Sequence, residues 1–425
     1  MPRRRKVLVL TPYPLLPAHS GGRLYALGTV TPVASEHEFH LLALANAAER
    51  DELARGGDAL RAEYARSFAS VSFEERPRIP HQLGGRAAVL RHFATHVRHR
   101  LPLMDLSYYQ PRAVALARRI VHERGIDLLE IHHLHCAFYR RFLPELPAVL
   151  INHNIEQDLW PFWPKQHGRA AERWLWDQFG KRSRRFAHDI EIDNALRFDA
   201  KVFISTRDMA RVPEAACPRF LVPMVVPPGR AVSPFSGERF RVLWIGGFGW
   251  PPNVAAITWF LDAIWPAVRA AVSVPLELHL IGAEAPEALR ARHDGREVFV
   301  HGYVEDVEAL RGNADAFVVP LLTGSGVRIK IVEALAAGLP VVSTSKGCEG
   351  LPLEPGRDLL VADEAAAFAA SLIELAGSVE RRAALGRAGQ AYVAQHHAPE
   401  VVAAAKRRVY DFLDGAANEG AARRA

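Results

Sequence analysis

The chain alternates, from its first residues to near its last, between short unbroken apolar runs and longer amphipathic stretches. Lys6-Val-Leu-Val-Leu10 is the first run, and Phe39–Leu44, Leu128–Ile131, Ala148–Ile151 and Lys201–Ile204 follow it. A run that is apolar at every position suits a strand covered on both faces, and such strands belong to parallel sheets flanked by helices. Between Phe220 and Phe240 the rhythm breaks. Pro223, Pro227, Pro228, Gly229, Pro234 and Gly237 crowd that span, which is the composition of a linker. The rhythm resumes with Arg241–Ile245, Leu276–Ile281, Val298–Val300, Ala316–Pro320 and Val341–Ser343. Two such series predict an α/β protein of two doubly wound, Rossmann-like domains facing each other across a cleft, with ligands at the C-terminal ends of the strands. The expected domains are 1–222 and 240–395, joined by a linker at 223–239. A C-terminal helix with a frayed tail is expected over 396–425, packing back on the first domain, its helical pattern ending near Gly415. One long helix is expected to begin near Ala171 and to end over Asn194–Phe198, and another to run from Pro251 through Trp265.

At 425 residues the chain is long enough for two cores. Cys136, Cys217 and Cys348 are odd in number and far apart. They give neither a disulfide framework nor a zinc site, so a reducing cytoplasm is expected. The apolar run Val7–Leu10 is too short for a signal sequence or a membrane span. The formal charge of +6 is partly local, since Pro77–Met104 contains no acid and Lys181-Arg-Ser-Arg-Arg185 is a second basic run. Arg86, Arg91, Arg98 and Arg100, interleaved with Val89, Leu90, Phe93 and Val97, form a pattern suited to peripheral contact with an anionic membrane. The plain alternative is a solvated helix face. No nucleic-acid motif occurs, and no nucleic-acid partner is expected.

The segment Phe317–Leu351 carries the clearest chemistry. A short apolar strand runs into Gly324-Ser325-Gly326, then into a helix opened by Arg328 and Lys330, with Glu333 one turn further on and a second apolar strand after it. Strand, glycine turn and helix N-terminus together make an anion site. Two cations beside it would face phosphates, and a carboxylate one turn along would accept ribose hydroxyls. Lys330 and Glu333 share a face of a regular helix, so a surface ion pair is the competing reading. Arg328 falls on the apolar side of that helix, which places it in the turn before regular helix begins.

In the first half, Ser20-Gly21-Gly22-Arg23 opens a helix after the first strand. Its glycines either allow a tight turn or let backbone approach a ligand. His153 lies just beyond an apolar strand, followed by Asn154 and Glu156, and is a candidate for contact with a substrate. Glu130, His132, His133 and His135 suggest a metal site. However, period-two spacing in a strand would put Glu130 and His132 on one face and His133 and His135 on the other. No matching third ligand is evident and no Asp-x-Asp occurs, so no metal and no cofactor are expected. Fixed cations and a helix N-terminus would neutralise a leaving diphosphate instead.

Gly324-Ser-Gly-Val-Arg-Ile-Lys-Ile-Val-Glu-Ala334 with Ala337-Gly-Leu-Pro-Val-Val342 is similar to the most diagnostic block of the retaining family 4 glycosyltransferases of GT-B fold. Gly246-Gly247-Phe248 with Pro252-Asn253 resembles the glycine loop and following helix of their bacterial polysaccharide branch. His301-Gly302-Tyr303-Val304 resembles the loop flanking the nucleotide base. Ser20–Arg23, His153–Glu156 and Asp199–Ser205 look like the acceptor domain of the same branch. The chain departs from the family at three places. Ser325 stands where the family has a first glutamate, the one near the transferred sugar. Phe248 and Trp250 stand where it has Arg and Lys, and Pro228-Gly229 where it has Asn-Gly.

The resemblance implies a cytoplasmic, metal-independent hexosyltransferase-like enzyme of bacterial surface polysaccharide biosynthesis. It would move a sugar, with retention, from a nucleoside diphosphate sugar to a hydroxyl of a glycan or lipid-linked saccharide, at the inner face of the membrane. His153, Arg328 and Lys330 would serve catalysis. The donor would bind at Gly21, Gly22, Gly246, Gly247, Tyr303, Gly324, Ser325, Gly326, Arg328, Lys330 and Glu333, with Arg23 and Glu156 on the acceptor side. A nucleotide-sugar epimerase or hydrolase of the same fold, and a partner subunit without turnover, are the alternative readings. Ser325 is the feature that supports the second of these.

Overall fold

The computed structural model describes the chain except residues 1–2, 19, 77–93, 96, 101–104, 106–107, 159–169, 227–231, 234, 236, 305, 325 and 423–425. Side chains at 158, 170–179 and 416–422 are also outside the description. Most of the basic segment at 86–100, the Pro228-Gly229 pair and Ser325 therefore lie outside the described residues. Two compact units emerge, Met1–Val225 together with Pro399–Ala425, and Val226–Ala398.

The first unit is built on a seven-stranded sheet in the order β3-β2-β1-β4-β5-β6-β7. The strands are β1 (Lys6–Thr11), β2 (Glu38–Ala45), β3 (Ser70–Glu75), β4 (Leu128–His132), β5 (Ala148–Asn152), β6 (Ala200–Phe203) and β7 (Arg219–Leu221). All pairings are parallel, for example Leu8 opposite His40 and Leu129 opposite Ala148. The strand order reverses beside β1, where β1 pairs with both β2 and β4, so the ends of β1, β4 and β5 surround a topological switch point. The unbroken apolar runs of the sequence are these interior strands, buried on both faces. The strands that the sequence conceals are at the edges. β3 reads Ser-Val-Ser-Phe-Glu-Glu and is only half buried, and β7 is three residues long.

The helix Ala170–Glu191 ends earlier than expected. Asn194–Phe198 is a turn in which Asn194 and Arg197 take positive φ. The Asn194 amide closes it, donating to Phe198 O and accepting from Phe198 N. The helix Pro399–Ala422 runs through Gly415 and belongs to the first unit. It buries Val402, Lys406, Val409, Tyr410 and Leu413. Arg5 pairs with Asp414 at 2.6 Å and Arg407 with Glu36 at 2.6 Å, which tie it to the start of the chain.

The second unit has a six-stranded parallel sheet in the order β10-β9-β8-β11-β12-β13. Its strands are β8 (Phe240–Ile245), β9 (Leu276–Ile281), β10 (Val298–Gly302), β11 (Ala316–Val319), β12 (Val341–Ser343) and β13 (Leu360–Val361). The two-residue edge strand β13 has no sequence signature. Pro251–Ala271 is one apolar helix of 21 residues. Its Ile257, Phe260, Ile264, Trp265 and Val268 are buried in this unit's core with Phe240, Val242 and Leu278. Here too the order reverses beside the first strand, between β8 and β11, and the glycine-rich turns leave the ends of those two strands.

Candidate functional site

In the second unit, β11 ends into the turn that holds Gly324 and Gly326, both at positive φ (122° and 80°), which only glycine adopts without strain. Regular helix begins at Ile329, with Arg328 as the non-helical residue before it. Arg328 therefore sits in the turn, as its place on the apolar side of the helix requires. Its guanidinium donates to Gly326 O at 2.9 Å and lies over the Trp250 ring. Burial pulls it down to about 10, so it is cationic at neutral pH.

Lys330 reaches the other side of the same turn. Its ammonium is shut off from solvent, makes no hydrogen bond among the described residues, and lies 5.0 Å from the centroid of Trp244. Burial, with the Arg328 charge adding to it, draws Lys330 down to about 7. A desolvated ammonium without an acceptor is unstable relative to one facing an anion. The loop after β8 closes over it. A Cβ on Gly246 would stand 2.7 Å from Lys330 Nζ and 2.9 Å from the Trp244 ring. Asn253 fixes that loop by donating to Gly247 O at 2.7 Å. Gly282, at the end of β9, must also be glycine, because any side chain there would collide with Gly246 O.

Phe248 and Trp250, expected to mark a loss of charge, have supporting roles. Phe248 is core and packs on Trp244, and Trp250 covers Gly324 and Arg328. Arg328 lies over the Trp250 ring and Lys330 over the Trp244 ring. Glu333 is not paired with Lys330. It accepts from Arg311 at 3.2 Å, and Arg311 also pairs with Glu308. Burial raises Glu333, and Arg311 partly offsets this. Its side chain keeps 29% of its exposure, so a lone pair is open to a ligand. Tyr303 follows Gly302 at the end of β10 and is 77% exposed.

In the first unit the ends of β1, β4 and β5 bring four histidines together. His133 is not on a strand face. β4 ends at His132, and His133 takes positive φ (66°) and opens a short helix. Its ring stacks on His153 at 3.7 Å and on His135 at 5.9 Å. Tyr13 from the loop after β1 bonds His133 Nε2 at 2.5 Å, and Glu156 stands 3.6 Å from His133 Nδ1. Gly22 is required by this contact, since a Cβ there would strike the Tyr13 hydroxyl. Gly21 is the first residue of the helix capped by Ser20. His135 is held by buried Asp105 at 2.6 Å, and that carboxylate outweighs burial and raises it to about 9. His153 contacts His132 at 3.1 Å and the edge of Tyr25. Burial, then the neighbouring His133, holds it well below the ordinary histidine range. At neutral pH it is an uncharged hydrogen-bonding group rather than an acid.

Arg23 turns inward. Its guanidinium donates to Pro17 O and to Glu49, each at 3.0 Å, and fixes the loop rather than facing a ligand. Glu156 is held low because His133 and the cationic His135 outweigh its burial. Its backbone N–H is anchored by the Glu191 carboxylate at 2.8 Å. Among the described residues, no three of His, Cys, Asp and Glu converge as a ligand set for a metal. Trp244, Trp250, Arg311, Tyr13 and Gly282 were not identifiable as site residues from sequence. Only Trp250, in place of an expected cation, stood out as a signal.

Residues 239–378 match the family model described as glycosyl transferases group 1. The second unit is a group 1 glycosyltransferase domain. An uncharacterized 44.6 kDa protein in the cps region of Klebsiella pneumoniae is 26% identical over 159 residues, which are 34% of this chain and 41% of that relative. Solved glycosyltransferase structures resemble the chain over nearly its whole length. Anabaena Alr3699/HepE in complex with UDP has a TM-score of 0.60 at 14% identity, over 96% of this chain and 100% of that one. Sucrose-phosphate synthase from Thermosynechococcus elongatus gives 0.61 at 15%, over 97% and 100%. TarM gives 0.65 at 10%, over 96% and 99%. At these identities the likeness is one of fold, and that fold is GT-B.

Proposed function

We propose that the protein is a retaining glycosyltransferase that takes a sugar from a UDP-sugar and passes it to a hydroxyl of a glycan or lipid-linked saccharide. The observation that carries this reading is Lys330, a buried ammonium with no acceptor among the described residues, set between two glycine turns at the switch point of a group 1 glycosyltransferase domain. A diphosphate supplies the missing acceptor. Arg328 and the N-terminus of the helix Ile329–Ala336 add positive potential on the same side. As the bond from sugar to diphosphate breaks, charge grows on the leaving oxygens, and these fixed groups stabilise it without reorganising. Glu333, steadied by Arg311, accepts ribose hydroxyls. Tyr303 offers an open ring face for the base. UDP is favoured as the nucleotide because it is bound in the HepE structure.

The Klebsiella relative in a cps region supports an acceptor in surface polysaccharide synthesis. That reading would place the protein at the cytoplasmic face of the membrane, with the basic segment 86–100 touching anionic lipid. Of that segment's described residues, Arg100 pairs with Asp189 at 3.2 Å. The test is UDP release from UDP-sugars with and without a lipid-linked saccharide extract. Release that requires the extract, with a product heavier by one sugar, supports transfer. Release without any acceptor favours an epimerase or hydrolase, and binding without release favours a partner subunit.

A further inference from the structure

The basic run Lys181–Arg185 takes no part in the sites described so far. It lies on the helix Ala170–Glu191, beside a cavity of about 440 Å³ in the first unit. That volume falls within the range of about 300–1,000 Å³ typical of small-ligand sites. Lys181, Arg184, Arg185 and His188 line it, together with Gln157. The four helix residues are spaced i, i+3, i+4 and i+7, so they share one face. All four are exposed, whereas Phe186 and Ala187 between them are buried. The face that borders the cavity is therefore polar throughout, with no apolar side chain to embed in a bilayer or a partner.

Like charges one turn apart destabilise a helix, so this row of cations costs stability unless an anion faces it. Two carboxylates also line the cavity, Asp189 and Asp193. Asp189 is already taken by Arg100 at 3.2 Å, and Asp193 stands 3.8 Å from His188 Nε2. His188 Nδ1–H donates to the amide oxygen of buried Gln157 at 3.2 Å, which fixes that ring against the loop after β5. Arg184 and Arg185 make no hydrogen bond or ion pair among the described residues. Lys181, Arg184, Arg185 and Arg100 thus outnumber the two carboxylates. The excess suits a group that bears more than one negative charge, as a phosphate ester does at neutral pH. Guanidinium forks match phosphate oxygens two at a time, and Arg184 and Arg185 offer two such forks.

We propose that this cavity is a phosphate site, in which Lys181, Arg184 and Arg185 receive the phosphoryl or diphosphoryl group of a ligand beside the fixed pair Gln157 and His188. The site lies wholly within the first unit and does not depend on the function proposed above. A soluble phosphate ester and the headgroup of an anionic lipid offer the same chemistry, and the experiment separates them.

Affinity for pyrophosphate is measured by titration calorimetry in Lys330→Met protein, so that the cation of the second unit does not compete. The proposal expects binding that weakens at least tenfold in Arg184→Gln/Arg185→Gln, as for lost charge-assisted hydrogen bonds. It expects no change in Arg118→Gln/Arg119→Gln, which removes two exposed cations from the helix Pro111–Arg124. Both pairs are exposed, so both variants should melt as their parent does. Equal loss in the two variants, or loss in neither, makes the basic run an ordinary solvated face and overturns the site. Co-sedimentation with vesicles of phosphatidylglycerol in phosphatidylcholine, against phosphatidylcholine alone, identifies the source. Pyrophosphate binding without vesicle capture assigns the site to a soluble phosphate ester. Capture that is lost in Arg184→Gln/Arg185→Gln and kept in Arg118→Gln/Arg119→Gln assigns it to a lipid headgroup. Protein that binds neither pyrophosphate nor the anionic vesicles overturns the proposal.

Discussion

Lys330 makes affinity for a diphosphate depend on pH in a defined direction. Its folded-state value, about 7, lies well below the ordinary lysine value of about 10.4. An unfolded chain therefore holds this proton more tightly than the ligand-free fold does. The ligand-free protein is penalised below pH 7, and the penalty fades as pH rises from 7 toward 10. At about 1.4 kcal/mol per pH unit, it has a ceiling of about 5 kcal/mol. A bound diphosphate within hydrogen-bond reach would return Lys330 to its ordinary range, so binding takes up a proton. Through Lys330, affinity is then greatest below pH 7 and falls about 50-fold between pH 7 and 9 as the free protein loses the charge. Titration calorimetry with UDP at pH 7, 8 and 9, in buffers of different ionisation enthalpy, measures both the slope and the proton uptake. Lys330→Met should bind weakly with a flat profile, and its ligand-free form should melt higher than wild type at pH 7. A wild-type affinity that is constant from pH 7 to 9, or proton release on binding, would refute the reasoning.

Glu333→Gln should weaken UDP binding by about 1.5–3 kcal/mol, the range for hydrogen bonds to a charged group, with little change in melting temperature. Calorimetry that finds an equal dissociation constant removes Glu333 from the site. Gly22→Ala drives a methyl into the Tyr13 hydroxyl and should displace Tyr13 from His133, lowering turnover at least tenfold while the protein still folds. Normal turnover in that variant would make the Tyr13–His133 contact incidental. Transfer should persist in excess EDTA, because Arg328 and Lys330 are fixed cations. Activity abolished by EDTA and restored by Mg²⁺ or Mn²⁺ contradicts that mechanism.

The interior of each sheet was legible because a parallel strand covered on both faces must be apolar at every position. Edge strands escape that rule, which is why Ser70–Glu75, Arg219–Leu221 and Leu360–Val361 were hidden. The glycine turn, Arg328, Lys330 and Glu333 were legible because they are neighbours in sequence and the helix period fixes their directions. Arg311 with Glu333 was not, since 22 residues separate them and the connection is made only by packing. The histidine cluster was half legible. His153 could be placed past a strand end, but its link through His132 and Glu130 to Lys406 spans two neighbouring strands and the C-terminal helix. His133 and His135 do not share a strand face, because His133 leaves the strand at positive φ, and their rings stack across the short helix that follows.

The central claim is that the second unit binds a nucleoside diphosphate through the Lys330 ammonium. The most direct measurement is a crystal structure of the protein soaked with UDP, paired with titration of wild type and Lys330→Met at pH 7. The account predicts diphosphate oxygens within hydrogen-bond distance of Lys330 Nζ, and binding that is lost in the variant. A diphosphate bound elsewhere, or equal affinity in the two proteins, would contradict it.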